Sequence, residues 1–116
     1  MEIIAADFDS FGVIVAYCSP LCREDDITEN IIKLIKKFKS GKFIHITGDF
    51  NVNIMVGEHR LVDTLSSFGY SLGVNISIPS TIYGSQIDLL FTNQTEIKSF
   101  YAQSFYSDHY PLFFVI

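Results

Sequence analysis

The sequence predicts a mixed α/β sandwich, and three observations support this fold class. Hydrophobic periodicity indicates strand, helix, strand and helix in turn, followed by a run of strands. Apolar residues make up 48% of the chain, which is too many for a disordered polymer and predicts a packed core. A length of 116 residues matches one domain of ordinary size, so we expect a single domain over residues 1–116.

The chain begins with a predicted strand pair. Residues 2–6 and 12–17 are rich in β-forming residues, and the turn-prone segment Asp-Phe-Asp-Ser-Phe lies between them. The second run is apolar almost throughout, which is typical of a strand buried on both faces. Pro20 ends this region, because proline cannot continue a central ladder of hydrogen bonds.

An amphipathic helix follows the strand pair. Apolar residues recur at spacings of three and four over residues 27–38, and lysines alternate with them. Acidic residues precede the helix and lysines end it, as the helix dipole prefers, and Gly41 stops it. We interpret the lysines as a solvated face rather than a DNA-binding patch.

A short strand, a second helix and four further strands complete the predicted order. The strand covers residues 43–47, and the helix runs from about residue 58 to residue 68, where Gly69 closes it. The last four strands are predicted at residues 71–74, 86–92, 97–103 and 110–116.

Composition excludes several classes of protein. The chain has 8 Lys and Arg against 13 Asp and Glu, a net charge of −5, which excludes binding of nucleic acid mainly through a basic surface. No apolar run approaches the roughly 20 residues of a membrane span, so no membrane partner is expected. The N-terminus lacks the basic region of a signal peptide, which predicts an intracellular protein, in the nucleus or the cytoplasm. Cys18 and Cys22 have no second ligand pair for zinc and are interpreted as reduced thiols.

The first candidate site is Gly-Asp-Phe-Asn at residues 48–51. Asp49 and Asn51 share a face of an extended segment, while Phe50 points into the core. A carboxylate beside an amide can orient a water molecule and hold a phosphate oxygen, which suits hydrolysis of a phosphoester. The alternative is a turn in which the same side chains cap the backbone.

Two further candidates lie within or just before later strands. Asp88 interrupts an apolar strand, and it is either a buried carboxylate that needs a partner or a partly exposed strand residue. His109 precedes the closing strand; histidine is the commonest general acid or base, and a carboxylate such as Asp88 would fix its tautomer and raise its pKa. Of the other histidines, His45 is predicted to be structural and His59 to be solvated.

Taken together, these motifs resemble the endonuclease/exonuclease/phosphatase superfamily, the DNase-I-like phosphoesterases. Gly-Asp-Phe-Asn (48–51), Ser-Gln-Ile-Asp (85–88) and Ser-Asp-His (107–109) occur in the family's order. Residues 15–20 are similar to the family's strand that ends in a tyrosine near the active site. The stretch 78–93 looks most like the endonucleases of retrotransposons and other mobile elements. The resemblance implies a DNase-I-like β-sandwich flanked by helices.

The resemblance also implies a catalytic role for each motif residue. Asp49 would orient or deprotonate the attacking water, and Asn51 would contact the phosphate. Asp88 would hold His109, whose imidazole would stabilise charge on phosphoryl oxygens or aid proton transfer. Tyr17 would contact the scissile phosphate.

The remaining implied roles concern the metal and the substrate. Asp108 would lie beside a divalent metal, Mg²⁺ or Mn²⁺, a hard cation that suits oxygen ligands. Thr81 and Ser85 would contribute to substrate binding.

The chain departs from the family pattern before Tyr17. Family members begin with a strand that carries an Asn and continue with a strand that ends in a metal-binding Glu, whereas Glu2 is the only Glu in this region. The residues therefore resemble the later part of such a domain, and we expect the domain to be truncated at its N-terminus. A missing N-terminal segment or another domain is an expected partner.

The leading functional hypothesis is a metal-dependent phosphodiesterase, an endonuclease that nicks DNA by water attack on a backbone phosphate. One alternative is a phosphatase acting on a small or lipid phosphoester, since a fold does not determine its substrate. Another is a non-catalytic remnant of such a domain. An unrelated α/β binding domain would require all of the motif matches to be coincidental.

Overall fold

The computed structural model describes all 116 residues, and the predicted mixed α/β class is confirmed. Two helices and seven strands follow one another in the predicted order. The elements are β1 (Glu2–Asp7), β2 (Phe11–Tyr17), α1 (Glu24–Ile35), β3 (Phe43–Asp49), α2 (Arg60–Ser67), β4 (Ser71–Leu72), β5 (Asp88–Thr92), β6 (Lys98–Tyr101) and β7 (Leu112–Val115). Neither helix has the length and apolar character that a membrane crossing requires.

The strands form one large sheet and one small sheet. The large sheet has the order β1-β2-β3-β5-β4, and β6 pairs with β7 in the second sheet. β2 and β3 are parallel, because the crossover through α1 returns the chain to the same end of the sheet; the other pairs are antiparallel. The carboxyl ends of β2 and β3 therefore lie beside the start of β5.

The helices cover one face of the large sheet. Alternation along β2 directs Ile14 and Ala16 to this face, where both are buried. Phe50 lies in the core as predicted, and its ring makes an edge contact with Phe91 at 5.8 Å between centroids. The helical side chains buried against this layer include Ile27, Ile31, Leu61 and Leu65.

The opposite face of the large sheet is covered only in part. The second sheet contacts β3 there, with the ring of Phe114 at 6.1 Å from that of His45. His45 is fully buried beside the hydroxyl of Thr92 at 2.9 Å, consistent with the predicted structural role. On β1 and β2, the register partners Ile4 and Val15 are 70% and 45% exposed, so this part of the face is apolar and open to solvent.

Most element boundaries differ from the predicted ones by one or two residues, and two of the differences have a clear local reason. The chain beyond Ile35 leaves the α-helix because the amides of Lys37 and Phe38 bond three residues back, which tightens the last turn. β5 begins at Asp88 rather than at residue 86. The amides of Ile87 and Asp88 donate to the Ser80 hydroxyl instead of joining the ladder.

The prediction that His59 is solvated is wrong. Its Nδ1 lies 2.9 Å from a carboxylate oxygen of Glu24, and its Nε2 lies 2.7 Å from the carbonyl oxygen of Val56. Both partners are acceptors, so the doubly protonated imidazolium is the form that fits. Burial opposes that charge, but the bonds to Glu24 and Val56 outweigh it and raise the pKa of His59.

Glu24 also caps the second helix. We therefore expect its substitution to lower the stability of the fold, by an amount that depends on pH. Its other oxygen accepts the amide of Leu61 at 3.0 Å, and α2 has no side-chain cap of its own. Glu24→Gln should lower the free energy of unfolding by about 1 kcal/mol. Glu24 also forms an ion pair with His59, and the folded pKa of His59 is raised. The contribution of this ion pair to the free energy of unfolding is therefore present below about pH 6.5 and lost as pH rises through the folded pKa. Urea denaturation at low and high pH measures both parts.

The matched control for this substitution is Glu29→Gln, which removes an exposed carboxylate from the same helix. It should change stability by no more than about 0.5 kcal/mol at either pH. A Glu24→Gln loss of equal size at low and high pH would contradict the proposed charge pairing with His59.

Candidate active site

Three of the predicted site residues meet at one end of the large sheet. Asp49 ends β3, and its register partners are Tyr17 at the end of β2 and Asp88 at the start of β5. Side chains of directly paired residues point to the same face of a sheet. Two carboxylates and a half-exposed phenol therefore lie in one row, on the face opposite the helices.

His109 completes the group from the segment before β7. Its Nδ1 lies 2.8 Å from Oδ2 of Asp88, and its Nε2 lies 3.9 Å from Oδ2 of Asp49. Because a carboxylate can only accept, Nδ1 carries a hydrogen and donates it to Asp88. Nε2 is left on the side of Asp49, in a position to give or take a proton.

The protonation states of this group follow from its contacts. The hydrogen bond to Asp88 raises the pKa of His109, against the opposing effect of burial, and the charges of Asp88, Asp49 and Asp108 add to the increase. Burial raises the pKa of Asp49, the Asn51 amide opposes this, and the charge of Asp88 adds to it. Both shifts favour the protonated form of each group over a wider range of pH.

The loop after β3 holds Asp49 in place. The backbone N–H of Asn51 donates to Oδ1 of Asp49 at 3.0 Å, and its side-chain amide donates to the carbonyl of Cys18. Asn51 has a φ of 49°, in the left-handed region that asparagine tolerates better than most residues. The capping turn considered from the sequence is therefore present, and it orients one oxygen of Asp49 toward the loop.

Thr81 and Ser85 lie behind the histidine. Thr81 forms an isolated antiparallel bridge with His109, and its hydroxyl lies 2.6 Å from that of Ser85. Neither residue lines the cleft that opens over Asp49, Asp88 and His109, which is described below. Their observed contacts close the turn 81–85 and attach it to the segment that carries His109.

Asp108, the predicted metal ligand, lies outside the group formed by Asp49, Asp88 and His109. Its Oδ2 accepts a hydrogen bond from the hydroxyl of Tyr83 at 3.0 Å, and the residue is exposed. Its backbone carbonyl accepts the amide of Ile82 at 2.9 Å. These bonds connect the loop before His109 to the loop at residues 81–84.

A cleft of about 360 Å³ opens over the group. Its walls come from the ends of β3 and β5 and from the segment that precedes β7. The lining residues are Thr47, Gly48, Asp49, Asp88, Ser104, Ser107, His109, Tyr110, Pro111 and Leu112. Polar side chains such as Asp49, Asp88 and His109 line the cleft together with Tyr110, Pro111 and Leu112. The cleft can therefore contact both polar and apolar parts of a ligand.

Sequence reasoning missed two residues that position Asp88. The buried hydroxyl of Ser80 accepts the Asp88 amide at 3.1 Å, and the hydroxyl of Tyr101 donates to the Asp88 carbonyl. Burial raises the pKa of Tyr101 to about 12, and the charge of Asp88 adds to this, so the phenol stays a donor. Ser80 lies in the loop before β5, and Tyr101 lies in β6, the next strand. Both act through side-chain bonds to the backbone, which no hydrophobic pattern in the sequence marks.

The donor set fits a divalent cation. Ligand atoms of Asp49, Asp88 and His109 all lie within 4.8 Å of one another. Like charges directly opposite each other on neighbouring strands repel, and a bound cation removes that cost. Carboxylate oxygens are the ligands that Mg²⁺ and Mn²⁺ prefer, while Nδ1 of His109 is engaged by Asp88. The group can therefore hold a metal ion through its two carboxylates.

Asp88→Asn should lower the pKa of His109, because the charged hydrogen-bond acceptor is the largest cause of its increase. The titration of the imidazole Cε1 proton by NMR measures this directly. Asp108→Asn is the control, since the charge of Asp108 is the smallest of the named contributions, and it should move the pKa less. An unchanged pKa in Asp88→Asn would contradict the observed pairing.

Comparison with known proteins gives matches of structure only. No family model and no curated protein sequence matches the chain. The endonuclease domain of TRAS1, a telomere-specific non-LTR retrotransposon, superimposes with a TM-score of 0.75 at 18% identity, over 97% of this chain and 59% of that one. The cytolethal distending toxin of Haemophilus ducreyi gives 0.70 at 14% identity, over 97% and 51%.

A third solved structure supports the same fold. An endonuclease/exonuclease/phosphatase family protein from Leptotrichia buccalis has a TM-score of 0.64 at 18% identity, over 95% of this chain and 50% of that one. The chain therefore has a DNase-I-like fold, as the sequence motifs predict. It spans between 50% and 59% of the length of these three structures.

Proposed function

From its DNase-I-like fold, we propose that the chain is a phosphoesterase, and that its substrate is a phosphodiester of a DNA backbone. The observation that carries the proposal is the grouping of Asp88, His109 and Asp49 in the lining of one cleft. An imidazole oriented by one carboxylate and facing a second is suited to proton transfer at a phosphate.

Each residue of the group has a role in this reaction. Asp49 orients the attacking water and takes its proton through Oδ2, since Oδ1 is engaged by the Asn51 amide. Asp88 keeps the hydrogen of His109 on Nδ1, so that Nε2 faces the cleft and donates to a phosphoryl oxygen. Tyr17, beside Asp49 in the sheet, contacts the phosphate. Asn51 contacts it as well, through the amide N–H that is not donated to the Cys18 carbonyl.

The metal in this proposal is Mg²⁺ or Mn²⁺, with Asp49 and Asp88 as oxygen ligands. When bound, such an ion polarises the phosphoryl oxygen and offsets the charge of the substrate. Asp108 remains a predicted ligand, although one of its oxygens is bonded to Tyr83. The negative net charge of the chain is compatible with a polyanionic substrate once a cation occupies the site.

Incubation of the chain with supercoiled plasmid tests the proposal. We expect conversion to the nicked circle with Mg²⁺ or Mn²⁺ and none with EDTA. Hydrolysis of p-nitrophenyl phosphate without nicking would favour the phosphatase alternative. If neither substrate is hydrolysed and no metal-dependent thermal shift is seen, the chain alone has no such activity and the remnant alternative holds.

A further inference from the structure

Two aromatic side chains beside the cleft have no packing role in the fold. Phe105 is 86% exposed and Tyr106 is 100% exposed. Both lie between β6 and β7, in the segment whose Ser104 and Ser107 line the cleft. A buried aromatic side chain removes about 150–250 Å² from water, and these two forgo that gain. Their rings are therefore available to a ligand that occupies the cleft.

A third exposed ring lies in the adjacent loop. Tyr83 is 77% exposed, and its hydroxyl is held by Oδ2 of Asp108. The amide of Ile82 and the bridge between Thr81 and His109 attach this loop to the catalytic segment. Aromatic surface thus adjoins His109 from two loops, and one of the rings is fixed by a hydrogen bond.

The lysines of the chain lie away from the cleft. Of the two arginines, Arg60 pairs with Asp25, and Arg23 precedes α1 and does not line the cleft. Lys98 begins β6 and pairs with Val115, whereas the cleft is at the other end of this sheet, where Tyr101 pairs with Leu112. The other five lysines lie in the second half of α1 and in the turn that leads to the start of β3, the end of the large sheet opposite Asp49. These are Lys33, Lys36, Lys37, Lys39 and Lys42. No lysine is placed to track the phosphates of a duplex across the cleft.

Because these rings are exposed and no lysine lies at the cleft, we propose that Phe105 and Tyr106 stack on nucleobases next to the phosphate in the cleft. The inference rests on the proposed phosphodiesterase function and adds a preference for a strand with unpaired bases over a fully paired duplex. A supercoiled plasmid offers such bases where it opens locally. Bases within a duplex are already stacked on their neighbours, so their faces are not free to meet a protein ring. Stacking is tolerant of sequence, because every base has a π-face.

Binding in the absence of cleavage provides the first test. A labelled single-stranded 12-mer oligonucleotide in EDTA is titrated with the full chain, and fluorescence anisotropy reports the affinity. The chain should bind this strand more tightly than the matching duplex, and the double variant Phe105→Ala/Tyr106→Ala should bind it about 10-fold more weakly. Tyr106→Phe keeps the ring and should retain the affinity.

Phe68→Ala is the matched control, because it removes a half-exposed ring at the end of α2, on the helical side of the sheet. It should leave oligonucleotide affinity unchanged. Equal affinity of the double variant and the parent chain for the single strand would overturn the inference. So would a parent chain that prefers the duplex.

The second test separates this inference from the proposed function. With Mg²⁺, the double variant should cleave the oligonucleotide about 10-fold more slowly. It should cleave an abasic strand of the same length, built of tetrahydrofuran units and without aromatic rings, at the parent rate. An equal loss on both substrates would show a structural role for the loop and overturn the inference. If the parent chain hydrolyses neither substrate, the proposed function fails, and the binding experiment alone decides whether the rings contact bases.

Discussion

His109→Ala is expected to slow metal-dependent nicking of plasmid by about 100-fold to 10,000-fold, the usual contribution of a general acid or base. The imidazole is oriented by Asp88 at 2.8 Å and presents Nε2 to Asp49 at 3.9 Å. No other titratable nitrogen lies in this group. Initial rates of nicked-circle formation, at matched protein and Mg²⁺ concentrations, measure the loss.

The fold should tolerate this substitution, because the side chain of His109 is 40% exposed. His59→Gln is the matched control: it removes the other histidine that pairs with a carboxylate, in the contact between α1 and α2. It should lower stability while leaving the nicking rate of the folded protein unchanged. If His109→Ala retains a rate within about threefold of the parent, His109 has no part in catalysis.

Gly48→Ala is expected to cause the largest loss of stability of any single methyl addition in the strands. Gly48 has a φ of 142°, which side-chain-bearing residues rarely adopt, and a Cβ there would overlap the carbonyl oxygen of Ala16. Ala16 is buried in the neighbouring strand and pairs with Gly48, so its backbone has no room to move. We expect the free energy of unfolding to fall by about 3 kcal/mol or more.

Gly57→Ala is the matched control for backbone strain alone. Gly57 has a φ of 77°, and a Cβ there would meet no atom within 4 Å. The substitution should cost about 1 kcal/mol, the penalty of a left-handed conformation without a clash. Urea denaturation of the two variants measures the difference. Losses of similar size would show that the close approach of β2 and β3 at Gly48 is not what requires glycine.

The sequence predicted the order of the elements but not all of their ends. Periodicity and glycine positions are local properties, so they identified both helices and every strand. The start of β5 at Asp88 depends on the Ser80 hydroxyl, and the burial of His59 depends on Glu24 at the start of another helix. The first contact joins a loop to the strand that follows it, and the second joins residues of two different helical segments. No hydrophobic pattern in the sequence contains either contact.

The candidate site was likewise predictable from the sequence only in part. The sequence by itself determined the fold class and marked Asp49, Asp88 and His109 as polar residues at the ends of apolar strands. The resemblance also implied that Asp88 would hold His109. Only the tertiary structure decided that Asp49 joins this pair, because the register of β3 with β5 places the two aspartates opposite each other. It also decided that Asp108 turns to Tyr83, since a residue's neighbours in space follow from strand pairing and loop packing rather than from its place in a motif.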